Sequence, residues 1–254
     1  MMKYFAPLVL IFSYAETASA QNYITEIAEA ERLGQALYNY DSAAWGATDA
    51  IFSDDKIKAA FLEAPVGYVS LDNGNGTFST GFIIETEDGP AVKIDVLTRG
   101  KEAIDLKFHE TVRPLGTEEV RYLNARKLAL EASFEPCPEF LPMNLNVIPA
   151  DDRALYVYLM SSTTKHGLIV YGRHYRFRIE DNNLGETITF TNSCIGTPVS
   201  DNAAGAFITH LKTPYPQEHH VFASLSHGLP IFVGTSKNDK VWTVEDGAIR
   251  EVEE

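Results

Sequence analysis

The chain has 254 residues, a formal net charge of −14 and 45% hydrophobic residues. This apolar fraction excludes an intrinsically disordered chain, and the length allows one large domain or two small ones. The excess of acidic side chains argues against binding to nucleic acid or to an anionic membrane surface, because both carry charge of the same sign. We therefore expect a folded protein that does not bind nucleic acid.

Residues 1–20 have the pattern of a secretory signal peptide. Lys3 precedes an apolar run over 5–12, and Ala18-Ser19-Ala20 is a cleavage site of the small-x-small type. The run is shorter than the roughly 20 apolar residues of a spanning helix, so no membrane span is predicted. These features predict export to the periplasm or the extracellular space. We expect the mature chain, 21–254, to be one α+β domain, with 134–150 as the best candidate for an internal boundary.

Cys137 and Cys194 are the only cysteines in the sequence. Exported proteins fold in oxidising compartments, where a single pair of thiols is expected to form a disulfide. A reactive thiolate at Cys194 is the alternative interpretation. The sequence therefore predicts a crosslink between residues 137 and 194.

The N-terminal part of the mature chain has helical periodicity. Apolar residues recur at three- and four-residue steps over 24–52, and Asp41-Ser42 marks a possible break. Ser53 is expected to cap a second helix over 53–62. After residue 65 the period changes to two, and turn residues separate strands at 67–71, 77–85, 90–98 and 103–108. A further helix is predicted over 117–133.

The C-terminal half is expected to consist of strands, predicted at 154–161, 168–179, 186–195, 205–212, 218–225, 230–235 and 241–244. The links between them are short and contain Gly, Pro, Asn or Asp. Short links favour antiparallel neighbours, because a parallel crossover needs a dozen or more residues. We therefore predict an α+β fold with N-terminal helices and a mainly antiparallel sheet, with a barrel-like curl of that sheet as an open alternative.

Five of the seven histidines lie between residues 174 and 227. Strand alternation places His174, Arg176 and Arg178 on one face, where such a row can bind a carboxylate or a phosphate. The alternative is a solvated face on which the two arginines pair with the chain's own acids. These three residues are the predicted ligand-binding candidates.

A hairpin is predicted over 205–225, centred on Tyr215. Its register places His210 opposite His220 and Lys212 opposite Glu218. Two opposed imidazoles can share one divalent ion, so His210, His220 and Glu218 are the predicted metal ligands, with zinc as the candidate ion. The alternative is two surface imidazoles that share no ligand.

The sequence contains no strong catalytic motif, so whether the protein is an enzyme stays open. The favoured interpretation is an exported, non-enzymatic binding or envelope-associated protein that presents a His-, Arg- and Tyr-bearing sheet face to a small molecule or a protein partner. The alternative is a metal-dependent or histidine-based hydrolase.

Overall fold

A computed structural model describes residues 23–140, 143–200 and 202–253; the predicted signal peptide lies outside these ranges. Within them the chain forms an α+β fold, which confirms the predicted class. The helices are α1 (Ile24–Phe52), α2 (Asp55–Leu62), α3 (Thr117–Glu131) and α4 (Glu218–His227). None of the described helices is long and apolar enough to cross a membrane.

The strands are divided among four sheets, and no closed barrel is found among the described residues. The first sheet is β1 (Pro65–Asp72), β2 (Phe78–Ile84), β3 (Ala91–Arg99) and β4 (Glu102–Arg113). The second contains β5 (Met143–Pro149), β6 (Leu155–Ser161), β8 (Tyr175–Glu180) and β9 (Asn183–Thr189), and β7 (Leu168–Val170) pairs with β10 (Gly196–Pro198). The last sheet is β11 (Ala206–His210), β12 (Ile231–Thr235), β13 (Lys240–Glu245) and β14 (Ala248–Glu251).

The first half of the chain follows the predicted order closely. Helix α1 is continuous through Asp41-Ser42, and the four strands after it form the expected antiparallel meander. Helix α2 is capped by Asp54 and not by Ser53, because the Asp54 side chain accepts hydrogen bonds from two backbone N–H groups of the first turn. Helix α3 begins where it was predicted, at Thr117.

The structure corrects several of the elements predicted for the second half. The segment 134–150, which was the candidate internal boundary and had no predicted strand, contains the regular strand β5, which pairs with β6 along its whole length. The strand predicted over 168–179 is divided into β7 and β8, which belong to different sheets. Residues 248–251 form an additional strand, β14.

The predicted hairpin over 205–225 is wrong, because residues 218–227 form helix α4. Strand β11 pairs in parallel with β12, and α4 is the crossover between them. Glu218 lies in the first turn of α4, and Gly228 ends the helix with a left-handed φ of 59°. A short segment in which Val221 and Leu225 are four residues apart satisfies a helical period as well as an alternating one.

Helix α1 connects the three clusters of buried apolar residues. Leu33, Leu37, Tyr40 and Ala43 pack into the largest cluster, with strands of the first two sheets and α3. Ala30 belongs to a second cluster around β11, β12 and α4, and Ile51 to a third with α2. A helix of 29 residues is about 43 Å long, which is enough to reach all three.

The predicted disulfide between Cys137 and Cys194 is confirmed. It joins the segment after α3 to the turn before β10, with a sequence separation of 57 residues. Cys137 is fully buried.

Reduction of this disulfide is expected to lower the free energy of unfolding by about 4 kcal/mol, because the crosslink restricts the unfolded chain. Urea denaturation with and without a reductant measures the change. We expect the reduced protein to remain folded, because a chain of this size has a core that does not depend on the crosslink. An unchanged denaturation midpoint would contradict this estimate.

Candidate metal centre and adjoining cavity

Four histidine side chains meet at the junction between α4, β11 and the second sheet. His210 ends β11, His219 and His220 are the second and third residues of α4, and His174 directly precedes β8. Each of them is buried, with 1–3% of its surface exposed. The loop 211–217 reverses the chain between β11 and α4, which brings residues ten positions apart into contact.

The imidazole rings of this histidine cluster lie against one another. The ring centroids of His219 and His220 are 3.8 Å apart, and those of His210 and His220 are 4.8 Å apart. The ring of His174 is 6.0 Å from that of His219. One possible ligand atom from each of His210, His219 and His220 lies within 4.8 Å of the other two. Three buried imidazoles at this spacing form a candidate metal centre.

Backbone hydrogen bonds orient three of the four rings. Nδ1 of His174 accepts from the Ser161 N–H at 3.0 Å, and its Nε2 donates to the Val170 carbonyl at 3.0 Å. Nδ1 of His220 accepts from the N–H of Gln217 at 3.0 Å. A nitrogen that accepts from an N–H carries no proton, so each neutral ring holds its proton on the other nitrogen.

His210 is held in the same way by the loop that follows it. Its Nε2 accepts from the backbone N–H of Thr213 at 3.1 Å. Thus His174 has both nitrogens engaged and is a structural connection between β6, β7 and β8. His210 and His220 each use one nitrogen for the local backbone.

His219 differs from its neighbours. Neither of its ring nitrogens has a hydrogen-bond partner among the residues that the structure describes, and the side chain is 1% exposed. Leaving a buried polar group without a partner costs about 1–3 kcal/mol. An imidazole in this position therefore favours a ligand that occupies one of its nitrogens.

Burial keeps the whole cluster neutral at pH 7. Desolvation lowers the pKa of His174 and of His210 to about 4, with nearby Lys212 and Lys237 adding to the effect at His210. The pKa values of His219 and His220 are also lowered well below the usual value, first by desolvation and then by neighbouring imidazoles. Neutral imidazole is the form that binds metal ions.

Glu218, the third predicted metal ligand, is engaged elsewhere. Its carboxylate forms a buried ion pair with Arg176 and accepts a hydrogen bond from the Tyr158 hydroxyl at 3.3 Å. The predicted partner, Lys212, is not the one that the structure provides. His219 takes the place of Glu218 in the candidate centre.

The predicted ligand-binding row is engaged within the protein. His174 is buried in the cluster, Arg176 pairs with Glu218, and Arg178 pairs with Asp152 and Glu180. Arg176 also lies over the ring of Tyr156, with its guanidinium carbon 4.7 Å from the ring centroid. These contacts correspond to the alternative in which the chain's own acids neutralise the arginines.

His210 and His220 lie next to each other for a reason other than the predicted one. In a hairpin they would face each other across two strands, whereas here the first turn of α4 carries His220 over the end of β11. The helix also brings in His219, which the alternating pattern placed on the opposite face. An acidic residue at the start of a helix and a glycine after its end are typical signals, and here they are Glu218 and Gly228. Recognising these signals would have placed His219 and His220 in the first turn of a helix.

The histidine cluster adjoins a cavity of about 490 Å³. Residues of β5, β6, the loop 162–167 and α4 line it, and His219 and His174 form part of its wall. The cavity also receives Asp41 from α1 and Ser226 and His227 from α4. His219 is thus the member of the candidate metal centre that also lies in the wall of the cavity.

No protein-family model and no curated protein matches this chain. Among solved structures, the Bacillus megaterium YpeB C-terminal domain is similar at 16% sequence identity, with a TM-score of 0.18. The match covers 57% of this chain and 65% of that one. A similarity of this size carries no argument about fold or function, so the candidate site is interpreted from its own chemistry.

Proposed function

We propose that this chain is an exported binding protein that holds one divalent transition-metal ion through His210, His219 and His220. The observation that carries the proposal is His219, a buried imidazole with two unpartnered nitrogens beside two further imidazoles. Imidazole is a preferred ligand of zinc, copper and nickel. Export, which the pattern of residues 1–20 and the disulfide support, would place the site outside the reducing cytoplasm.

Metal binding would require a small rearrangement of the rings. Two nitrogens bound at about 2 Å to one tetrahedral zinc ion are about 3.3 Å apart, so a pair of ligand atoms at the limit of 4.8 Å must come closer by about 1.5 Å. His219 has no hydrogen bond to lose in this movement among the described residues. The unprotonated nitrogens of His210 and His220 each accept a backbone N–H, so each ring must give up that hydrogen bond to bind the ion. Acid should weaken binding, because a protonated imidazole cannot coordinate a metal.

Zinc is expected to bind the mature protein with one-to-one stoichiometry. At a free concentration one hundred times the Kd, it should raise the free energy of unfolding by about 2.7 kcal/mol. Native mass spectrometry gives the stoichiometry, and thermal denaturation with zinc or with EDTA gives the stabilisation. A wild-type protein that neither retains zinc nor is stabilised by it would overturn the proposal.

The variant His219→Leu separates a metal ligand from a structural residue. Without metal it should be more stable than the wild type by about 1 kcal/mol, because an unpartnered polar group is replaced by an apolar one of similar size. With zinc it should show no stabilisation. His109→Ala removes an imidazole that contacts Asp95 in the first sheet, so this control should bind zinc as the wild type does. Zinc binding that survives in His219→Leu would contradict the assignment.

A further inference from the structure

The cavity beside the histidine cluster has polar walls with unused hydrogen-bonding capacity. Within the described part of the chain, the buried hydroxyls of Ser161 and Ser226 have no hydrogen-bond partner, and both residues line the cavity. Ser161 ends β6 and Ser226 lies on α4, so the two hydroxyls belong to different walls. Buried hydroxyls of this kind favour a ligand that carries hydroxyl groups of its own.

Asp41 adds a negative charge to the same cavity. Its carboxylate accepts hydrogen bonds from the amides of Asn146 at 2.9 Å and Asn144 at 3.4 Å. No cationic group forms a salt bridge with it among the described residues. Desolvation raises the pKa of Asp41, and neither the two amides nor the charge of Lys101 offsets this effect. A half-buried carboxylate that has no salt-bridge partner favours a ligand that supplies a cation.

The other charged groups around the cavity do not meet this need. Lys165, His166 and His227 also line the cavity, but all three are exposed residues, so water screens any charge that they carry. His174 and His219 are neutral near pH 7, because burial lowers their pKa values. Asp41 is therefore the acidic side chain in the cavity wall with which a cationic group of a ligand can pair.

We infer that the cavity binds a small hydroxylated amine of about the size of an amino sugar, with its ammonium group at Asp41 and its hydroxyls at Ser161 and Ser226. A cavity of about 490 Å³ lies within the ordinary range for small-molecule sites, about 300–1,000 Å³. This inference goes beyond the proposed metal centre, with which the cavity shares only His219. It depends on Asp41 and the two serines and not on a bound ion.

Glucosamine and glucose are matched probes, because they differ in one ammonium group. Isothermal titration of the mature protein in EDTA keeps the measurement independent of metal binding. Glucosamine is expected to bind at least tenfold more tightly than glucose at pH 7. Absence of saturable glucosamine binding at millimolar concentrations, or equal affinity for the two sugars, would overturn the inference.

Two variants locate the ligand in the cavity. Asp41→Asn should reduce the affinity for glucosamine to that for glucose, whereas Asp88→Asn, an equal change of charge in an exposed turn, should leave it unchanged. Ser226→Ala should weaken glucosamine binding and leaves the charge intact, so it serves if Asp41→Asn does not fold. Tight binding of glucosamine to both cavity variants would place it elsewhere on the protein and refute the assignment.

Discussion

Lowering the pH from 7.5 to 5 is expected to reduce the free energy of unfolding of the metal-free protein by about 4 kcal/mol. The cause is the histidine cluster, whose rings stay neutral in the folded state. In the unfolded chain a histidine takes up a proton near pH 6.5. The pKa of His174 and of His210 is about 4 in the folded protein, so at pH 5 the unfolded state binds more protons and is favoured.

The sign and the size of this effect follow from the two pKa values. The contribution of these neutral rings to the free energy of unfolding is fully present above pH 6.5 and is lost as the pH falls toward 4. Below pH 4 this contribution changes little. At pH 5 each ring that stays neutral lowers stability by about 2 kcal/mol, and His174 and His210 together account for about 4 kcal/mol. His219 and His220, whose pKa values are also lowered, add to the loss. The raised pKa values of Asp41 and Glu218 act in the opposite direction.

Urea denaturation in EDTA at several pH values between 7.5 and 4 measures this dependence. His219→Leu should have a shallower slope than the wild type below pH 6.5, by up to about 1.4 kcal/mol per pH unit, because one ring that stays neutral only in the folded state has been removed. Equal stability of the wild type at pH 7.5 and pH 5 would show that the cluster takes up protons without unfolding. That outcome would contradict the buried, neutral arrangement.

Removal of the Glu218 charge is the second change with a large expected effect. Glu218→Gln is expected to lower the free energy of unfolding by about 3 kcal/mol or more, because it leaves the guanidinium of Arg176 without its anionic partner. The side chains of Arg176 and Glu218 are only 14% and 5% exposed, so water does not replace the lost contact. The glutamine side chain preserves the size of the residue and its ability to accept from Tyr158.

Two companion variants separate the buried charge from the packing around it. The double variant Arg176→Met, Glu218→Gln should be more stable than Glu218→Gln alone, because no charge is left unpaired. Asp152→Asn breaks the more exposed pair with Arg178 and should change stability much less. Urea denaturation of the four proteins at pH 7 compares them. A double variant less stable than Glu218→Gln alone would show that packing, and not the unpaired charge, dominates.

Much of the fold is predictable because long segments have one clear period. The 29 residues of α1 repeat an apolar stripe over about eight turns, and the meander after residue 65 has turn residues at each reversal. The disulfide was equally predictable, since two cysteines allow one intramolecular pair. The secondary structure of 218–225 was not predictable, because eight residues with apolar side chains at positions 221, 223 and 225 fit a strand and a helix alike.

The candidate site shows which features the amino-acid sequence determines and which depend on the tertiary structure. Composition and spacing determined that the chain is an α+β protein, that its cysteines pair and that the histidines near the C-terminus are concentrated in sequence. Only the tertiary structure decided which histidines meet, because α4 crosses from β11 to β12 and turns His219 inward beside His210 and His220. It also decided that Glu218 pairs with Arg176, a residue 42 positions away. Contacts between elements distant in sequence depend on how those elements pack, and the periodicity within each element does not contain that information.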